Sequence, residues 1–300
     1  MAAHGSSEHA EQAGQPGIGE VLEQRMWPRE QTDLYFLLGC VNALMGVAAT
    51  RLGYLDAAGE LHRAGWAYAS AIGHRPLMAR LRCELACIAC RAGRFGHGRD
   101  LALSGLGYLA GGPGGAHLHA SVAQAAARLG QVGVARRAVH DAHEAFERDY
   151  SDDLLETGGE WAISRATHWC MTGAALTLTA DAGRDAAAEL EQAASLYDAG
   201  PAGSEQHWFA GRPLAGIALA IVRLRSGALD SAAVALEPAL SLPPAQRISD
   251  VTTRLTEVRA ELGAALYHRS PQAQDLAGQI GEYAREAAAA GLHALAGSPG

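Results

Sequence analysis

The sequence contains no lysine, and all 24 of its basic residues are arginine. Aromatic residues reach only 6%, so the 49% apolar fraction is mainly Ala, Leu and Val. Side chains favoured in strands are sparse and strong helix formers dominate, which argues against a core built from sheets. Long apolar runs are also lacking. The longest, Leu214 to Val222, is about half a membrane span. Residues 1–15 are polar and lack the apolar core of a signal peptide. The five cysteines (40, 83, 87, 90 and 170) are odd in number and irregular in spacing, unlike a disulfide framework. A soluble, cytoplasmic protein is expected. The net charge of -8 disfavours a phosphate-binding surface. No phosphate-cradling loop, nucleophile elbow or HExxH motif is found, so no catalytic residue, metal or cofactor is assigned.

What the chain does have is a recurring turn. Arg51-Leu52-Gly53-Tyr54-Leu55-Asp56-Ala57-Ala58 shares the form Arg-x-Gly-x-apolar-x-x-small with the segments at Arg91, Arg128 and Arg225. Weaker copies occur at Asp181-Ala182-Gly183 and His268-Arg269-Ser270. Gly ends one helix in the left-handed conformation. The apolar residue tucks beneath the turn, and the small residue lets the next helix approach. Seven residues before each turn centre stands another small residue: Gly46, Ala86, Ala123, Ala174, Ala220 and Gly263. These let the two helices of a pair pack closely. The turns lie 37 to 51 residues apart, the range of helical-pair repeats. This spacing predicts an all-α fold, a right-handed α-solenoid of about six tetratricopeptide-like helix pairs. First helices are expected near 34–52, 76–92, 116–129, 164–180, 207–226 and 246–268, and second helices near 55–72, 96–110, 132–147, 184–198, 230–241 and 272–290. Residues 1–17 read as a disordered polar tail, 18–290 as the solenoid and 291–300 as a C-terminal tail.

Other segments carry a resemblance. Asp33-Leu34-Tyr35-Phe36-Leu37-Leu38-Gly39 opens the first unit, and Ala64-Gly65-Trp66-Ala67-Tyr68-Ala69 with Gly73-His74 closes it. Later come Leu196-Tyr197-Asp198-Ala199-Gly200-Pro201, Val258-Arg259 and Ser270-Pro271. From about Glu20 to Tyr283 the chain resembles the C-terminal tetratricopeptide region of actinobacterial helix-turn-helix transcriptional regulators of the Xre type. The resemblance implies a regulatory or sensory role. In that family a DNA-reading domain precedes the repeats. Residues 1–32 cannot supply its several short helices, so direct nucleic-acid binding is not expected from this chain.

Candidate sites follow from the register. First helices should line a concave groove that takes a peptide, partner protein or small molecule. Arg51, Arg91, Arg128 and Arg225 fall at matching groove-edge positions, with Thr179 and His268 at the other two. Such a ladder can grip carboxylates, or each Arg can simply offset a helix dipole. Cys83, Cys87 and Cys90 share one helix face, expected to point into the groove near Cys40. They can act as soft ligands or redox sensors, or as small buried side chains. His117 and His168 are expected to face the groove. His140, His143 and Glu144 share a face of a second helix, where a solvated surface is the simpler expectation. The acidic connection Asp149–Glu160 can be a plain loop or a lid. A ligand- or peptide-binding scaffold is thus the leading expectation. A repeat-fold enzyme using groove histidines or a metal, and a protein–protein adaptor or homodimer, are the alternatives.

Overall fold

A computed structural model describes residues 27–200 and 208–296, with side chains to residue 288. The expected tail at 1–17 lies outside the described residues. Among the described residues every regular element is helical. The helices are α1 (Pro28–Leu52), α2 (Leu55–Ala71), α3 (Arg75–Arg91), α4 (Phe95–Leu106), α5 (Gly112–Arg128), α6 (Val132–Phe146) and α7 (Asp153–Thr157). There follow α8 (Arg165–Leu176), α9 (Gly183–Ala199), α10 (Gly211–Arg225), α11 (Leu229–Leu240), α12 (Ser249–Leu262) and α13 (Pro271–Ala296). Helix α13 therefore runs past the expected boundary at 290.

The turn signals work as their chemistry requires. Gly53, Gly93, Gly130 and Gly227 all have φ between 72° and 89°, a region L side chains enter only at a cost. Helix starts are marked by Pro28, Pro76, Pro113 and Pro271 in the first turn, where a missing N–H is harmless. The weaker copies differ. Helix α8 stops at Leu176 and Gly183 opens α9, while α12 stops at Leu262 with Gly263 at its end. Thr179 and His268 therefore lie beyond their helices and do not extend the arginine positions. The first helices expected to reach 180 and 268 are correspondingly shorter.

Consecutive helices pack as pairs: α1 with α2, α3 with α4, α5 with α6, α8 with α9, and α10 with α11. Small residues set the approach. A Cβ at Gly46 would lie 2.5 Å from the His62 ring, and one at Gly98 would lie 2.5 Å from Cys90 Sγ. Ala86, Ala123, Ala174 and Ala220 are all buried. Each pair leaves an apolar face for the next, so most of the chain shares one continuous core from α3 to α13.

The twelfth helix departs from a simple stack. Its apolar stripe (Val251, Leu255, Val258 and Leu262) is buried. Its acidic side runs across the C-terminal ends of three earlier helices. Asp250 pairs with Arg91 at the end of α3, Glu257 with Arg128 at the end of α5 (2.9 Å), and Glu261 with Arg225 at the end of α10 (2.6 Å). Helix α12 also touches α1. It is a crossbar over the mouth formed by these helix ends.

Helix α1 is apolar along its length although Asn42 interrupts its apolar run. It alone among the described residues is long and apolar enough to cross a bilayer. One face packs on α2 and α3, while Leu37, Val41, Leu44, Met45 and Leu52 are exposed on the other.

Leu255→Ala should cost about 2–5 kcal/mol by emptying a buried position. Urea denaturation of the full chain measures this. A loss below about 0.5 kcal/mol would mean that the crossbar is not packed as described.

Candidate functional site

The inner faces of α1, α3 and α5 converge on a buried polar cluster. Helical spacing puts Arg80, Cys83, Glu84, Cys87 and Arg91 of α3 on one side of that helix. Arg80 Nε lies 2.9 Å from Glu84 Oε1, and both side chains are nearly buried. Burial pushes the Glu84 carboxyl upward, but Arg80, then His62, His117 and Arg51, hold it below the usual carboxylate range. His117 of α5 faces the same cluster. Its pKa falls to about 4, through burial first and then Arg80.

The acidic connection lies over this floor. Asp152 caps α7 by accepting from the Leu155 N–H (2.9 Å), and Asp153 reaches His74 Nε2 at the start of α3 (2.8 Å). Leu154 and Trp161 then pack among Ala43, Ala69, Leu77 and Leu81. Glu160 accepts from Arg51 at the end of α1 (2.5 Å) and lies 3.8 Å from Arg80. Between α7 and the turn that holds Trp161, Gly158 has φ 71° and ψ -156°, a conformation open essentially to glycine alone. It folds the chain back sharply enough for both apolar anchors to enter the groove. Beside them is a cavity of about 30 Å³, lined by Arg80, Cys83, His117, Asp152 and Trp161 among others. That is room for a water molecule.

None of Arg51, Arg91, Arg128 and Arg225 lines this cavity, and each is already engaged. Arg51 meets Glu160 and stacks over Trp208 at 4.7 Å. Arg91, Arg128 and Arg225 meet the acidic side of α12, and Arg225 also donates to the Thr177 carbonyl. Magnitude separates the two covers. Four buried side chains hold α12, about 6–12 kcal/mol of apolar burial. Two hold the acidic segment, about 3–6 kcal/mol before the entropy of ordering it is subtracted. The crossbar is therefore anchored by twice as many buried side chains as the acidic segment. Arg91, Arg128 and Arg225 therefore clamp the fold rather than present a free ladder.

The cysteines divide. Cys83 lines the cavity, with Sγ 3.4 Å from Ser121 Oγ, and Cys87 lies beside Arg91. Cys90 turns away from the groove and packs against Gly98 of α4. This corrects its expected position, because α3 buries a second face against its own partner helix. Burial pushes the Cys83 thiol up to about 12, and Cys40 and Cys90 up to about 11. At neutral pH these are thiols rather than reactive thiolates. Among the described residues no three His, Cys, Asp or Glu side chains form a metal-binding group.

His168 also leaves its expected position. It is 3% exposed, stacked on Phe146 of α6 rather than facing the groove. Helix α8 ends at Leu176, ahead of the incomplete turn at 181, so a count back from that turn does not fix its face. His143 is likewise not on a solvated face. Its Nδ1 lies 2.9 Å from His168 Nε2, and its Nε2 lies 3.1 Å from Glu189 Oε1 of α9. His140 and Glu144 do pair on the surface. The Glu189–His143–His168 chain is linear and lines neither the cavity beside Trp161 nor the cleft among α9, α10 and α11. His62 was also outside the expected set. It is fully buried beneath Gly46, and neither ring nitrogen has a hydrogen-bond partner. Counting on α2 could have placed it opposite Gly46, but only α3 shows that it faces Glu84.

The chain matches no protein-family model and no curated protein.

The site geometry predicts acid lability. The His168 pKa falls to about 4, through burial first and then His143, and His117 falls similarly. Both would titrate near 6.5 in the unfolded chain. Between those values the unfolded chain binds protons that the native state refuses. Stability is therefore complete above about pH 6.5 and declines as pH falls toward about 4. Urea midpoints measured across this range should fall with pH, and His168→Phe should flatten the decline. A midpoint constant down to about pH 4.5 would contradict this.

Proposed function

We propose that the chain is a ligand- or peptide-binding scaffold of tetratricopeptide-like helix pairs, wound as a right-handed solenoid, with a regulator-like role. One observation carries the reading. Charged and polar groups, Arg51, Arg80, Glu84 and His117, converge on an inner groove beneath a segment held by two apolar anchors. Structural packing alone does not require charge there, since ion pairs of this kind add little over apolar side chains of similar volume. The left-handed turn glycines and the small residues before them support the tetratricopeptide reading. The resemblance to Xre-type regulators supports the regulatory role, and the five free cysteines fit a reducing compartment. An enzymatic role would draw most naturally on the Glu189–His143–His168 relay, but that relay lines neither cleft, so the scaffold reading is preferred.

Affinity selection from peptide and metabolite libraries tests the proposal. A ligand should be retained by the native chain and lost by about tenfold or more in Arg51→Gln, which removes one charge-assisted hydrogen bond. Retention by native and variant protein alike would place binding elsewhere, and no retention from either library would count against a scaffold.

A second reading, an adaptor that pairs with its own copy, is favoured by the outer face of α1. From Leu34 to Thr50 that helix has no charged residue. Its exposed positions 37, 41, 44, 48 and 52 follow the three-and-four spacing of a helix–helix seam. A two-fold pairing would bury each stripe against itself. Sedimentation should then give twice the chain mass of 31.2 kDa, and Leu44→Glu should give 31.2 kDa. A monomeric native protein would rule this out.

A further inference from the structure

We infer that the groove beneath the lid recognises a peptide segment in which a carboxylate side chain adjoins a large aromatic one, and that Glu160 and Trp161 occupy this site as a built-in competitor. The inference rests on the scaffold reading and names its ligand class.

Charge counting gives the first reason. With the lid in place, Arg51 and Arg80 face Glu84 and Glu160, and the cluster is balanced. With the lid lifted, two guanidinium groups remain against the single Glu84 carboxylate. The open floor then carries a net positive charge and attracts an anion. Arg51 and Arg80 come from different helices and lie 2.5 and 3.8 Å from one Glu160 oxygen. A guanidinium matches a carboxylate in shape as well as charge.

Shape gives the second reason. Trp161 is 8% exposed, belongs to one apolar cluster with Leu77, Leu81 and Leu154, and lines the cavity together with Pro76 and Ala79. Arg80 stands 6.0 Å from its centroid, close enough for a cation–π contribution. Removing the ring leaves an apolar hollow of aromatic size directly beside the anion position.

Backbone gives the third. The site is already occupied by main chain, from Asp153 against His74 at one end to Glu160 against Arg51 at the other. A peptide can replace that path with its own. The lid holds its place because its effective concentration is high, in the millimolar range for a short tether, and not because its contacts are numerous.

The test uses a synthetic peptide of residues 150–163 and two forms of the full chain. In one form, residues 152–161 are replaced by a Gly/Ser linker of equal length. The other is native. Fluorescence anisotropy should show the linker form binding the peptide at least tenfold more tightly than the native chain. A peptide carrying Glu160→Gln and Trp161→Ala should lose that binding, as should Arg51→Gln in the linker form. Should the linker form fail to give a native circular dichroism spectrum, the full-chain Glu160→Gln, Trp161→Ala double variant takes its place. A folded lid-deficient protein that ignores the peptide, or native and lid-deficient forms that bind it equally, would overturn the inference. The scaffold reading would survive either outcome if library ligands were still retained. It fails separately if nothing is retained while the lid peptide binds only as a structural segment, with no competition from any other sequence.

Discussion

The structure depends on how closely its paired helices approach. Gly46 against His62 and Gly98 against Cys90 leave no room for even one added methyl group. Alanine does the same at 86, 123, 174 and 220. Because interiors are close-packed, each pair presents a defined apolar surface to the next. A chain with few aromatic residues builds a large core this way, from many short contacts rather than a few bulky ones. The same closeness brings the inner helices near enough for α12 to span several of their ends.

Charge is then distributed by tertiary contact. Arginines in the last turns of α3, α5 and α10 offset the negative ends of those helices, and the acidic side of α12 meets them. Each group therefore neutralises two partners at once. Such pairs are only partly buried and are individually weak. The apolar stripe of α12 supplies the burial that holds them in register. The acidic segment uses the same chemistry with half the buried anchors, Leu154 and Trp161 against the four of α12.

Much of the fold was legible before the structure. Four turn glycines, their flanking small residues and the helix-opening prolines identified the pairs and most boundaries within a few residues. The errors share a cause. At 181 and 268 the motif was incomplete, and helices α8 and α12 end early. The faces of α3 and α8 were assigned by counting back from the turns that follow them, which gives a side of the helix but not the neighbour that covers it. Cys90 lies on a flank claimed by α4, and His168 on one covered by Phe146 of α6.

The sequence by itself determined where helices start, stop and pair, because those signals act over a few residues through backbone conformation and helical periodicity. Only tertiary structure decided what the arginines hold. Their carboxylate partners lie as far away as 109 residues for Arg51 and 159 for Arg91, and nothing local distinguishes Glu160 or Asp250 from other acidic residues. Such pairings follow from how the helix pairs pack on one another along the chain, and no single segment encodes that packing.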